Sequence, residues 1–150
     1  MNCPVLIVLG SQSDLERIKA ATETLEEFGV EYELVIASAH RNPKKVEQLS
    51  SEAKGKGVKV IIAAAGLAAH LPGVIAAYTT LPVIGLPLAA GALNGIDSLY
   101  SIVQMPPGVP VGCMAINGAK NAALYALQII ALSDAGLAEK LKIYKESLQQ

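Results

Sequence analysis

An α/β fold, with a three-layer, doubly wound parallel sheet, is predicted by three features of this 150-residue sequence. The first is the run Val5-Leu6-Ile7-Val8-Leu9, which stops at Gly10 and passes directly into Ser11-Gln12-Ser13-Asp14. A continuous branched run of this length reads as a strand buried on both faces, as a parallel sheet requires. The second is the regular alternation of such runs with helix-period stretches, which gives right-handed crossovers and helices on both sheet faces. The third is a hydrophobic content of 52% with aromatics at only 4%, so the core must be built from small aliphatic residues in tight layers. In such sheets ligands bind beyond the carboxyl ends of the strands, where strand order reverses, so the turns leaving the first three strands share one rim.

The elements follow in order. After the first strand, Ser13 with Glu16 makes a capping-box pattern, and Leu15, Ile18, Ala21, Leu25 and Phe28 recur on one helical face. Gly29 ends that helix and a second strand runs from Tyr32 to Ala37. Asn42 and Pro43 are the N-cap and first residue of the next helix, whose buried face is Val46, Leu49 and Ala53. Gly55 and Gly57 close it, and Val58 to Ala65 is a third buried strand opening onto Gly66-Leu67-Ala68-Ala69-His70. A short helix spans roughly Leu71 to Tyr78, a fourth strand Pro82 to Leu86, and a further helix lies near Gly95 to Gln104. Pro106 to Pro110 punctuate the chain before a fifth strand, Val111 to Ile116. Ala119 to Leu132 is a helix apolar nearly all round, hence buried. The final stretch, Asp134 to Gln150, is a charged helix with one stripe of Leu137, Leu141, Tyr144 and Leu148.

The length fits a single domain over residues 1–150, with an α/β core over 1–132 and an extra C-terminal helix over 133–150. A complete sheet already has its helices, so that last stripe is expected to dock on a neighbouring subunit. A net charge of -1 offers no basic field for nucleic acid. Apolar stretches are interrupted before they reach the length of a membrane span, and the N-terminus lacks the features of a signal peptide, so a cytoplasmic location is expected. Cys3 and Cys113 share no metal-type spacing and read as packing residues.

The residues able to carry chemistry fall on the shared rim. Both histidines of the chain, His40 and His70, lie on predicted strand-exit turns, and imidazole is the side chain suited to proton exchange near neutrality. His40 is the candidate acid and base, whereas His70 could position or catalyse. Ser11 and Ser13 either cap the first helix or cradle an anion against its amides. Arg41 could fork onto the same anion or form a surface ion pair. Asp14 could accept hydrogen bonds from ribose hydroxyls or simply favour the helix dipole. Ala63 to Leu71, bare of charge, is either a packed strand exit or a dry wall around a small neutral species. Taken together these residues outline a pocket for a ribonucleotide. No metal or redox cofactor is indicated, because no ligand-spaced cluster, G-x-G-x-x-G or Walker sequence appears.

Five motifs in register carry a resemblance that extends from about Val5 to Leu132. Gly10-Ser11-Gln12-Ser13-Asp14, Ser38-Ala39-His40-Arg41, Ala68-Ala69-His70-Leu71-Pro72-Gly73, Asp97 through Pro106, and Asn121-Ala122-Ala123-Leu124 stand in the order seen in the N5-carboxyaminoimidazole ribonucleotide mutases of purine biosynthesis, which this chain resembles. The resemblance implies a flavodoxin-like domain, a homo-octamer with sites near subunit contacts, and a separate ATP-dependent synthetase upstream. It also implies an isomerase that moves a carboxylate from the exocyclic nitrogen of the ribonucleotide to ring carbon 4, without a cofactor. By motif, Ser11, Ser13, Ser38 and Arg41 would hold the phosphate, with Ala39 beside them, and Asp14 the ribose. His40 would be the acid and base, and the turn from Ala65 and Gly66 through His70 to Leu71 would line the place of carbon dioxide. The chain departs from the pattern at Ala64 and Leu67, where glycines are usual; a leucine forced to positive φ at 67 is strained. The turn Ile116 to Ala119 is also shorter than in some members.

Two other readings compete. A sister enzyme carboxylates aminoimidazole ribonucleotide with free carbon dioxide, but its class lacks His-Leu-Pro-Gly and carries Lys after the histidine of the second turn, where Arg41 stands here. A noncatalytic flavin- or phosphate-binding domain on the same fold is the alternative from another class.

Overall fold

The computed structural model describes residues 3–149. Five parallel strands, β1 (Val5–Leu9), β2 (Tyr32–Ile36), β3 (Val60–Ala65), β4 (Val83–Pro87) and β5 (Gly112–Cys113), form one sheet in the order β2-β1-β3-β4-β5. The first crossover therefore steps one way and the second returns past β1, so the reversal of strand order lies between β1 and β3. All five residues of β1 and all six of β3 are buried, which explains their unbroken apolar sequence.

Alternation along these strands divides the core in two. Val5, Ile7 and Leu9, with Val60, Ile62 and Ala64, face α1 (Lys19–Glu27) and α5 (Ala119–Ala131). Leu6 and Val8, with Ile61, Ala63 and Ala65, face the side covered by α2 (Pro43–Ala53), α3 (Leu71–Tyr78) and α4 (Ile96–Val103). Each fully buried Leu or Ile contributes roughly 1.5–3 kcal/mol of transfer free energy. Small residues permit the close layers: a Cβ placed on Gly85 of β4 would collide with the Ile102 side chain of α4. Asn42 accepts the Lys45 amide hydrogen at 3.3 Å and Pro43 follows at the first helical position, as anticipated for α2. Gly57, at φ 87°, turns the chain out of that helix in a conformation open to glycine.

Three local expectations are corrected. The first helix does not start in a capping box at Ser13 and Glu16. Two 3-10 turns, Gln12–Asp14 and Glu16–Ile18, precede α1, and Ser11 rather than Ser13 caps the first of them. Leu15 is consequently rotated off the buried stripe, while Ile18, Ala21, Leu25 and Phe28 remain on it. The fifth strand keeps only two residues of the anticipated six. Pro110 offers no amide hydrogen on one side, and on the other Asn117 adopts φ 59° and turns the chain toward α5. Lastly, α5 is not buried all round, since Tyr125 is exposed and Leu124 is half-buried.

The C-terminal helix α6 (Ala135–Ser147), capped by Asp134 on the Leu137 amide at 3.0 Å, finds a surface within its own chain. Leu137 is buried, Leu141 and Tyr144 pack on the core cluster of α1 and α5, and the Tyr144 ring meets Phe28 edge to face at 5.7 Å. The sequence-based premise that the stripe lacks a partner in the chain is thus corrected, although Leu148 at its end stays exposed.

Candidate active site

Three strand-exit turns flank the strand-order reversal and enclose a crevice of about 570 Å³. From the exit of β1 come Gly10, Ser11, Ser13 and Asp14; from that of β2 come Ser38, Ala39, His40 and Arg41; from that of β3 come Ala65, Gly66, His70 and Leu71. Every site residue singled out in the sequence lines this one space. Three crossovers in a parallel sheet necessarily exit on the same edge, which is why residues about 30 positions apart converge.

One end of the crevice is suited to an anion. The Ser11 and Ser13 hydroxyls lie 2.9 Å apart, and Ser11 Oγ accepts the Ser13 amide hydrogen at 3.4 Å. Arg41 Nη2 donates to the Gly10 carbonyl at 2.9 Å, so the guanidinium of the second turn lies over the first. Ser38 organises its own turn by accepting the Arg41 amide hydrogen at 3.2 Å. The β1 exit offers only a three-residue 3-10 turn rather than a long helix start, so hydroxyls and the guanidinium supply the anion-holding capacity in place of a full helix dipole.

Beside this end, Asp14 is only 5% exposed. Burial pushes its carboxyl above the usual aspartate range, and Arg17, whose Nη1 donates to Asp14 Oδ1 at 3.4 Å, pulls it partly back, as does the Ser11 backbone. A buried carboxylate with one long ion pair keeps spare acceptor capacity, which suits vicinal hydroxyls.

At the other end, the two histidines meet. His40 Nε2 and His70 Nδ1 are 2.8 Å apart, one donating and the other accepting, with ring centroids 5.0 Å apart and planes at 88°. His70 stands at the N-cap of α3, where its carbonyl accepts the Val74 amide hydrogen at 2.9 Å. Imidazole nitrogens can both donate and accept, so the pair is an arrangement suited to acid and base work in one site. Around it the wall is apolar: Ala65, Ala69 and Leu71 are buried and Gly66 is half-buried.

Comparison with known proteins is decisive on ancestry. The sequence profile described as AIR carboxylase matches residues 4–150. The chain belongs to the AIR carboxylase family. A relative from Pyrococcus abyssi named N5-carboxyaminoimidazole ribonucleotide mutase is 53% identical over 144 residues, covering 96% of this chain and 83% of that protein. One from Thermotoga maritima with the same name is 52% identical over 144 residues, covering 96% and 84%. Among solved structures, Treponema denticola PurE superposes with a TM-score of 0.88 at 32% identity over 97% of this chain and 91% of that one. The flavodoxin-like parallel sheet with an added C-terminal helix therefore stands as this family member's architecture.

Within this AIR carboxylase family member, several lining residues escaped the sequence reading. Arg17 reaches the crevice from the second 3-10 turn; its i,i+3 spacing from Asp14 was the available signal. Ala90 comes from the β4 exit, whose residues carry no chemistry a sequence pattern could flag. Leu67 takes φ 54°, so the left-handed conformation usual for glycine is kept at this position despite the leucine, and it is 55% exposed at the crevice rim. The shortened turn at 116–119 is ordered by Asn117, whose Oδ1 accepts the Ala89 amide hydrogen at 3.0 Å. Among the described residues no three His, Cys, Asp or Glu side chains converge to hold a metal ion, and no helix is long and apolar enough to cross a membrane.

Proposed function

We propose that this protein is a mutase that moves the carboxylate of N5-carboxyaminoimidazole ribonucleotide from the exocyclic nitrogen to ring carbon 4. The observation that carries the reading is the pairing of His40 with His70 at 2.8 Å in the crevice that also holds Ser11, Ser13, Asp14 and Arg41. The curated relatives at about half identity bear the mutase name, which supports the same reaction.

The chemistry needs little equipment. Breaking the carbamate C–N bond requires a proton on the departing nitrogen and releases carbon dioxide. Attack of ring carbon 4 on that carbon dioxide forms the new C–C bond, and loss of the proton from carbon 4 restores the aromatic ring. One imidazole, His40, gives the first proton and takes the second, so the step balances without net proton uptake. Ser11, Ser13, Ser38 and Arg41, with the backbone at Ala39, hold the phosphate, and charge-assisted bonds from Arg41 fix its position. Asp14 holds the ribose. The apolar turn Ala65, Gly66, His70 and Leu71 shelters carbon dioxide from water between the two steps. From the family resemblance, the carbamate is expected to be supplied by a separate ATP-dependent synthetase.

Ultraviolet spectroscopy of the aminoimidazole products tests the reaction. Turnover of the carbamate substrate in the absence of added bicarbonate is expected; turnover only from the free amine with bicarbonate reverses the choice. That second reading, carboxylation with free carbon dioxide, is favoured only by the family's own description, while Arg41 and His70-Leu71-Pro72-Gly73 favour the mutase.

Assembly as a homo-octamer in the cytoplasm belongs to the same proposal. Leu93, Ile96, Tyr100 and Val103 lie on one side of α4 and its lead-in, all 47–63% exposed, an apolar stripe of the kind that packs between copies of a chain.

A further inference from the structure

An exposed leucine in left-handed backbone conformation has no folding rationale of its own. Leu67 holds φ 54° and leaves 55% of its surface in water, so the strain is not offset by full burial of its side chain. What it touches gives the reason. A Cβ placed on Gly91 would lie 2.8 Å from Leu67 Cδ2, so the isobutyl group rests directly on the Gly91 backbone. Immediately before it, a Cβ on Gly66 would come within 2.9 Å of Ala90 Cβ. Gly91 itself sits at φ 69°, open to glycine and bare of the atom that would push Leu67 away. The β3 and β4 exits are held together beneath by the Leu88 amide hydrogen donated to the Ala65 carbonyl at 3.0 Å. Leu67 thus bridges two turns across the rim of the apolar half of the crevice, on the side of His70.

We infer that Leu67 is the apolar cover of the crevice, the side chain that keeps carbon dioxide from diffusing out between its release and its capture. This rests on the mutase reading and adds to it a retention residue. Carbon dioxide is neutral and makes no strong hydrogen bonds, so a binding group cannot anchor it; only a closed apolar wall lengthens its stay. Strain at a single residue is the structural cost of aiming an aliphatic group across the gap from so short a turn.

The test follows the carbon. Carbamate substrate labelled with carbon-13 in the carboxylate is turned over in unlabelled bicarbonate, and the label retained in the carbon-4 product is measured. Leu67→Asn keeps four side-chain heavy atoms branched at Cγ and tolerates positive φ, but it replaces the aliphatic cover with a hydrated amide. It is expected to melt no lower than the native protein, to bind nucleotide as well, and to lose roughly tenfold more label to the bulk pool, the factor suited to replacing the apolar contact of one half-covered isobutyl group. Leu67→Met, apolar but differently branched, is expected to restore retention close to native. Leu67→Ala, which keeps the backbone conformation and shortens the cover, is expected to leak like the Asn variant and decides the matter if that variant does not fold. Equal label retention in native, Asn and Ala proteins overturns the role of Leu67 while leaving the mutase reading intact. Absence of carbamate turnover by the native protein overturns both.

Discussion

His40 carries the sharpest expectation at the scale of a single residue. His40→Asn keeps a polar group of similar size but no imidazole to give and take a proton. It is expected to fold, to bind nucleotide, and to lose on the order of 10²–10⁴ in kcat, the usual contribution of a positioned acid or base; steady-state kinetics beside a thermal melt separates the two. Near-normal turnover would remove His40 from the proton transfers. Arg41→Ala deletes the guanidinium that spans the first and second turns through the Gly10 carbonyl. A charge-assisted bond contributes about 1.5–3 kcal/mol, so KM is expected to rise about 10- to 100-fold, with kcat affected less.

Asp14 makes the opposite trade, between stability and function. Its carboxyl is raised by burial above the ordinary value of 3.8, so the folded protein binds that proton more tightly than the unfolded chain does. The stabilisation this gives is fully present below pH 3.8 and is lost as pH rises through the folded-state value. Asp14→Asn is therefore expected to gain unfolding free energy relative to the native protein as pH increases above 3.8, while weakening nucleotide binding. Urea unfolding across a pH series checks the first part, and a difference independent of pH would sink it.

At the scale of elements, some signals were local and therefore legible. Asn42 and Pro43 marked the start of α2 because a side-chain cap and a missing amide hydrogen act within one turn. Asn42→Ala is expected to cost about 1 kcal/mol, or roughly 2–4 °C in Tm for a domain of this size, with little change in kcat, as read by calorimetry and kinetics. The bounds of α3 were also legible, from Leu71 and Pro72 at its start to the polar Thr79 after it. The start of α1 was not. Ser13 and Glu16 satisfy the capping pattern, yet Ser11 takes the cap because the β1 exit must fold tightly beneath Arg41. Likewise β5 was shortened because Pro110 before it lacks an amide hydrogen and because Asn117, at φ 59° with its amide donated to the Pro87 carbonyl of β4, turns the chain toward α5. These are contests between a local pattern and a distant partner, and only the distant partner's position settles them.

For the whole molecule, the exposed side of α4 is the feature a lone chain leaves unexplained. Tyr100 is 63% exposed there, next to Ile96 and Val103. Introducing a charge by Tyr100→Asp is expected to shift sedimentation at micromolar concentration from the proposed octamer toward smaller species, with the far-ultraviolet circular dichroism unchanged. An unaltered sedimentation coefficient would place the contact elsewhere, and a native protein that sediments as a monomer would remove the octamer altogether.

Residue type and short-range order by themselves determined the parallel sheet, the strand-helix alternation and the three turns that carry Ser11, His40 and His70. This is so because strand burial on two faces and helix periodicity are written in neighbouring residues. Only the tertiary structure decided that His40 and His70 are hydrogen-bonded at 2.8 Å, that Arg17 steadies Asp14, that α6 rests on its own core, and that Leu67 reaches over Gly91. Each of those contacts joins groups from separate elements, and a distance of a few ångströms between them follows from how the layers pack, a quantity no local pattern of residues encodes.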